Sequence, residues 1–244
     1  MNKISFFIPC FNEEDNIIPT LIKLNEVIKY LKLDYEIIIV DDASTDKTSA
    51  KIKNYIKQNK IDNIQLVINK INKGLGTNYI DVAFIAKGKY YMLINGDNAE
   101  TKESILKILK RLNSADIIIP FFGNQDKRVL SRKLLSVVFT KLVNIISGNK
   151  IPYFNGPVLH LRYNVMRWSP DTHGYAYQAE LITRILSEGG TYKTVQIDNQ
   201  DRNFGSSKAF NIENILSIIH SLLQIFLRRL RFILFYKKKF NQKH

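Results

Sequence analysis

Tyr35-Glu36-Ile37-Ile38-Ile39-Val40-Asp41-Asp42-Ala43-Ser44-Thr45-Asp46 sets a β-branched apolar run directly before a cluster of acids and hydroxyls. A short apolar run bounded by turn-forming residues reads as a buried strand that ends in a polar loop. The arrangement recurs on both sides of it. Ile4 to Ile8 leads into Pro9-Cys10-Phe11-Asn12-Glu13-Glu14, Ile64 to Ile68 into Asn72-Lys73-Gly74-Leu75-Gly76, and Tyr90 to Ile94 into Asn95-Gly96-Asp97-Asn98-Ala99-Glu100. A fifth strand is expected at Ile117 to Ile119. Between the strands, Ile17, Ile18, Leu21, Leu24, Ile28 and Leu31 keep a helical spacing, as do Ile105, Ile108, Leu109 and Leu112. The alternation predicts an α/β domain: a mostly parallel sheet flanked by helices.

The second half reads as an elaboration of the first, with no linker or repeat to divide it. A helix is expected from about Leu130 to Ile146, then a Pro- and Gly-punctuated stretch from Ile151 to Gly174. A helix from about Tyr177 to Ser187, a strand near Tyr192 to Ile197 and a long helical region from Asn211 follow. With 244 residues the chain is long enough to bury a core without disulfides, and its single Cys10 fits a small buried residue in a reducing compartment. Net charge is +14, which suits nucleic acid, an anionic membrane or a phosphorylated substrate. Its distribution separates these. The basic residues from Arg228 to Lys243 have no acid among them and follow an apolar helix, whereas the first hundred residues mix both signs. A basic patch interleaved with exposed aromatics is missing, so a nucleic-acid partner is disfavoured. No signal peptide pattern precedes the first strand, and the active site is expected on the cytosolic side.

Ligands of open α/β sheets bind outside the carboxyl ends of the strands, and four polar clusters at four strand ends point to one shared site. Any one of them could be a turn or a cap; Asp46 could simply cap the helix after it. Walker, dinucleotide and nucleophile-elbow signatures are absent, which disfavours NTPases, dehydrogenases and hydrolases. A carboxylate just past a strand can accept from a nucleobase or ribose, and one in the fourth loop can hold a divalent metal against a diphosphate.

These residues resemble glycosyltransferase family 2. Pro9-Cys10-Phe11-Asn12-Glu13 is similar to its opening signature, Asp41-Asp42-Ala43-Ser44-Thr45-Asp46 to its nucleotide-binding segment, and Asn72-Lys73-Gly74-Leu75-Gly76 to its Asn-x-Gly-x-Gly segment. Glu180 and the run Arg202-Asn203-Phe204-Gly205-Ser206-Ser207-Lys208 resemble the dolichyl-phosphate mannose synthase branch. The resemblance spans about residues 1 to 210. It implies a glycosyltransferase A-type, Rossmann-like sheet, a nucleoside-diphosphate sugar donor, inversion at the anomeric carbon and a polyprenyl phosphate acceptor. Donor binding then falls to Pro9, Phe11, Asn12, Glu13, Asp41, Asp42, Ser44, Asn72, Gly74, Gly76, Asn95 and Gly96. Catalytic roles fall to Asp97, Glu180, Arg202 and Lys208, and Mg2+ or Mn2+ binding to Asp97 with Asn95. The family's metal motif is Asp-x-Asp, whereas Asn95-Gly96-Asp97 has an amide in first place. Either Asn95 or Glu100 completes the metal shell through oxygen, or the metal binds weakly.

The remainder, 211–244, is expected to form an amphipathic, basic membrane-interface tail. Ile212, Ile215, Leu216, Ile219, Leu222, Leu223, Phe226, Leu230 and Ile233 form its apolar stripe, with Ser217, Ser221, Gln224, Arg228 and Arg231 opposite. The uncharged stretch is too short and polar to span a bilayer, so an anionic membrane surface is the expected partner, with packing on the domain or on another subunit as the alternative. Leu130 to Ile146 is a candidate for a second such element. Three functions stay open: transfer to a polyprenyl phosphate, transfer to a saccharide hydroxyl in cell-surface glycan assembly, and donor binding without turnover. In the second, Glu180 or Asp171 would serve as base.

Overall fold

The computed structural model describes residues 3–123, 130–167, 174, 176–198 and 212–236. Seven strands form one sheet in the order β3-β2-β1-β4-β6-β5-β7: β1 Ile4–Cys10, β2 Tyr35–Asp41, β3 Ile64–Ile68, β4 Tyr90–Leu93, β5 Ile117–Phe122, β6 Leu159–Leu161 and β7 Tyr192–Ile197. β1 pairs in parallel with β2 and β4, β2 with β3, and β5 with β7. The three-residue β6 is antiparallel to both β4 and β5, so the sheet is mostly parallel. The chain leaves β1 for β2 on one side and returns to β4 on the other. That reversal is a topological switch point, where two neighbouring strands send their loops apart and open a crevice.

The helices are α1 Ile17–Leu31, α2 Thr48–Asn59, α3 Leu75–Ile85, α4 Lys102–Leu109, α5 Leu130–Ser147, α6 Arg162–Met166, α7 Tyr177–Ser187 and α8 Ile212–Arg231, which continues as a π-helical turn, Phe232–Tyr236. Strand side chains alternate between two cores, as the two-residue period of a strand requires. Phe6, Ile8, Ile37, Ile39 and Met92 pack with Leu21 and Leu24 of α1, Ile52 of α2 and Ile105 of α4. Phe7, Ile38, Val40, Tyr91 and Leu93 face Tyr79 and Val82 of α3, Val143 of α5, Leu181 of α7 and Ile225 of α8. The expected strands and the helices at α1, α4, α5, α7 and α8 are present, several shifted by a few residues. Not foreseen were α3, which begins inside the cluster at Gly74, and β6 with α6, which occupy part of the Pro- and Gly-punctuated stretch.

The outermost helices bury one face and leave a largely apolar one exposed. α8 rests on α5 and α7, and the face it turns inward holds Ile218, fully buried Ser221, Leu222, Ile225 and half-buried Arg228. Its apolar stripe points outward: Ile215, Leu216 at 61% exposure, Ile219, Leu223, Phe226 and Leu230 are all exposed. α5 behaves alike, burying Phe139, Thr140, Val143 and Ser147 while exposing Leu134, Val138, Leu142 and, at 78%, Ile145. Packing on the domain and an outward apolar face, weighed as alternatives from sequence, occur together. Among the described residues no helix is long and apolar enough to cross a membrane.

Candidate active site

The β1 and β2 loops are zipped to each other. Asn12, with φ 57°, donates its backbone N–H to Ser44 Oγ at 2.9 Å, while its Oδ1 accepts from the Thr45 N–H at 2.8 Å. The Glu13 N–H donates to Thr48 Oγ1 at 2.9 Å and that of Glu14 to Asp46 Oδ2 at 3.1 Å. Asp46 also accepts from the Thr48 N–H at 2.9 Å, so it satisfies the first N–H of α2 from the residue before the N-cap, Lys47. Burial pushes its carboxyl up, but the bonds from Thr48 and Glu14 outweigh that and hold it below its ordinary value. Phe11 lies at the rim of this pair of loops, partly exposed, and Pro9 is the last but one residue of β1.

The two adjacent acids after β2 organise their surroundings differently. Asp41 accepts from the Ser44 N–H at 2.9 Å and from the Ser49 hydroxyl, closing its own loop. Asp42 shapes the next one: its Oδ1 accepts from Asn69 Nδ2 at 2.8 Å and the Lys73 N–H at 2.9 Å, and its Oδ2 from the Gly74 N–H at 2.9 Å. Asn72 donates to the Asp42 carbonyl at 3.1 Å. A carboxylate offers about four acceptor directions, so Asp42 keeps capacity for a ligand while pinning the loop. Gly74 has φ 80°, a left-handed conformation that suits glycine, and Gly76 is buried in the first turn of α3.

At the switch point the fourth loop presses against the first. A Cβ on Gly96 would lie 2.7 Å from the Pro9 carbonyl oxygen and 2.9 Å from Cys10 Sγ, so only glycine fits. Asp97 and Glu100 are both buried. Asn95 Nδ2 donates to Glu100 Oε1 at 2.6 Å, and Asp97 Oδ1 accepts from the Ala99 N–H at 3.2 Å. Burial, then the neighbouring Asp97 charge, raise the Glu100 carboxyl to about 7. Glu100 Oε2 is buried without a hydrogen-bond partner. Lys23 of α1 supports the loop from behind, donating to the carbonyls of Glu100 at 2.6 Å and Asn98 at 3.3 Å. Its burial lowers the ammonium's pKa, while the charges of Glu100 and Asp97 pull it up. Among the described residues no group of three or more His, Cys, Asp or Glu is placed to hold a metal. Asp97, Glu100 and the Asn95 amide are the hard oxygen donors at this point, and magnesium is commonly bound by one or two carboxylates plus substrate phosphates. The orphaned Glu100 oxygen fits that use.

The loops therefore bring together Pro9, Phe11, Asn12, Glu13, Asp41, Asp42, Ser44, Asn72, Gly74, Gly76, Asn95, Gly96 and Asp97. Glu180, in the first turn of α7, instead pairs with Arg228 of α8: the guanidinium donates to its carbonyl at 3.2 Å and its carboxylate at 3.4 Å. Arg202, Lys208 and Asp171 lie outside the described residues. Sequence reasoning missed Asn69, Asn78 and Lys23. Asn69 follows β3 directly and donates to both Asp42 and Asn78 Oδ1, so the strand-end rule applied three residues earlier would have found it. Cys10 is buried as expected, and burial raises its thiol's pKa, so it stays neutral.

Comparison with known proteins agrees with this geometry. The family model described as Glycosyl transferase family 2 matches residues 5–169. An uncharacterised protein of Methanocaldococcus jannaschii is 30% identical over 195 residues, 75% of this chain and 81% of its own length. An undecaprenyl-phosphate 4-deoxy-4-formamido-L-arabinose transferase of Photorhabdus laumondii is 22% identical over 225 residues, 91% of this chain and 67% of its own. Among solved structures, glucosyl-3-phosphoglycerate synthase of Mycobacterium tuberculosis, in complex with Mg2+ and uridine diphosphate, superposes with a TM-score of 0.67 at 18% identity. That likeness covers 92% of this chain and 79% of the synthase, and it is one of fold.

Proposed function

The chain belongs to glycosyl transferase family 2 and is a glycosyltransferase of the A-type fold; from that premise we propose that it moves a sugar, with inversion, from a nucleoside-diphosphate donor to a polyprenyl phosphate at the cytosolic membrane face. The observation that carries the donor half is the interlocking of all four strand-end loops around the switch point, with Asp97 and Glu100 buried beside Asn95. Asp42 and the Asn72 to Gly76 loop would take the nucleoside. Asp97, Asn95 and Glu100 would hold Mg2+ or Mn2+, whose charge offsets that of the leaving diphosphate.

The outward apolar faces of α5 and α8 support the lipid half, and so does the similarity to a transferase named for undecaprenyl phosphate. We assign 1–210 to catalysis and 211–244 to the membrane surface. A phosphate acceptor is largely ionised near neutrality and needs no general base. Its difficulty is repulsion from the anionic donor, which Arg202 and Lys208, flanking Gly205-Ser206-Ser207 just before α8, would offset while holding the reacting atoms in line. Glu180, already paired with Arg228, has no proton to take in this chemistry.

Labelled-sugar transfer to a short polyprenyl phosphate and to the matching polyprenol tests this, after a screen of sugar nucleotides with and without magnesium or manganese. Transfer to the phosphate alone, sharply reduced by Arg202→Ala, is expected. Equal transfer to the alcohol would overturn it and favour a hydroxyl acceptor with Glu180 or Asp171 as base.

A further inference from the structure

Where the C-terminal ends of α5 and α7 meet the last turns of α8 there is a cavity of about 170 Å³, away from the strand-end loops. Its polar lining residues are Ser147, Asn149, Thr183, Ser187, Arg228 and Arg229. Leu186, Ile225 and Phe232 complete the lining. Both arginines are held in place by the protein, Arg228 on Glu180 and Arg229 on the Ser147 carbonyl at 2.8 Å. Helix C-termini favour cations, which accounts for Arg229 capping α5. It does not account for a second guanidinium, two hydroxyl-bearing helix ends and an amide around a space large enough for a tetrahedral anion. A guanidinium carries five N–H donors in a fork matched to phosphate, and the bonds to Glu180 and Ser147 leave several on each. Arg228 and Arg229 are the charged residues of the lining, and no carboxylate is among them. Phe232, which lines it, is itself partly exposed, and α5 and α8 both carry exposed apolar residues.

We propose that this cavity binds the phosphate of an anionic phospholipid, whose chains leave past Phe232 along α5 and α8. The site rests on the membrane-surface reading above and adds to it a headgroup pocket separate from the sugar acceptor's. A lipid satisfies both halves of the lining at once: charge-assisted hydrogen bonds for the phosphodiester and apolar cover for its chains.

Diffuse attraction to an anionic surface counts charges, whereas a built pocket distinguishes which charge is lost. Arg229 lines the cavity and Arg231 does not, though both are exposed arginines near the end of α8. Sedimentation of the full chain with phosphatidylcholine vesicles, with and without phosphatidylglycerol, is the test. Arg229→Gln is expected to weaken binding to the phosphatidylglycerol vesicles about tenfold more than Arg231→Gln, the scale of one charge-assisted contact. Because Arg229→Gln also removes a helix cap, Ser187→Asp is measured beside it. This exposed residue would place a carboxylate in the cavity wall and should weaken binding comparably with an unchanged melting temperature. Equal losses for Arg229→Gln and Arg231→Gln would overturn the pocket and leave the membrane reading standing. No binding of the parent chain to either vesicle would sink the membrane reading itself. Inorganic phosphate that stabilises the parent, but not Arg229→Gln, as strongly as the lipid does would overturn the lipid as the phosphate's source.

Discussion

α1 and α8 carry apolar stripes of the same helical period, and the fold uses them in opposite directions. In α1, Ile17, Leu21, Leu24 and Ile28 are sealed against the sheet. In α8, Leu216, Ile219, Leu223 and Phe226 face away from it, and the side toward the protein carries Ile218, Ser221, Leu222, Ile225 and Arg228. Periodicity establishes that a helix has two faces; which face turns inward depends on what is already packed there. α7 presents Glu180 to α8, and a buried carboxylate needs a cation more than it needs a leucine. Large contiguous apolar patches on soluble monomers are often interaction sites, which is why the outward stripe supports the membrane-surface proposal.

The inward region should show the largest effects, because it holds the chemistry. Asp97→Ala is expected to lower turnover about 100- to 1000-fold, the scale of removing one electrostatic element of transition-state stabilisation. It should also abolish the metal-dependent part of donor binding, read by calorimetry with and without magnesium. Undiminished metal-dependent binding would remove Asp97 from the metal site. For stability, Leu24→Ala should cost about 2–5 kcal/mol, as fully buried leucines do, whereas Leu216→Ala should change it by less than about 0.5 kcal/mol. Denaturant unfolding of the two variants would break the comparison if the costs were equal.

A pH effect sharpens the same contrast from inside the sheet. His160 of β6 is fully buried with neither ring nitrogen partnered, and burial lowers its pKa from 6.5 to about 3. The unfolded chain therefore binds a proton that the folded one refuses. Stability from this residue is complete above about pH 6.5 and falls as the pH drops towards 3, by about 2 kcal/mol at pH 5. His160→Leu should shrink the stability difference between pH 7 and pH 5 by that amount; an unchanged difference would mean that His160 is charged in the fold.

Much of the framework was legible because strand and helix periods are local. β3, α7 and β7 have the bounds that patterning assigns, and the strand-end clusters converge as the parallel sheet requires. What escaped was non-local. β6 is three residues long, and nothing in Leu159-His160-Leu161 announces that it slots between β4 and β5. Lys23 reads as a solvated helix position, and its carbonyl partners lie more than seventy residues away. The pairing of Glu180 with Arg228, which sets the orientation of α8, spans 48 residues. Asn95 was legible as a departure from the family's metal motif, but its bond to Glu100 was not.

The central claim joins both regions: inward-packed loops take the nucleotide sugar, and outward-facing helices bring them to a lipid phosphate. It is tested most directly by measuring sugar transfer by the parent and by a Leu216→Ser, Ile219→Ser, Leu223→Ser triple variant. Two acceptors are compared, a long polyprenyl phosphate embedded in anionic vesicles and a short water-soluble one. The variant should lose most of its transfer to the embedded acceptor and keep its rate with the soluble one, because only delivery to the membrane has been removed. Equal rates for parent and variant on the vesicles, or no transfer by the parent to either phosphate, would contradict the account.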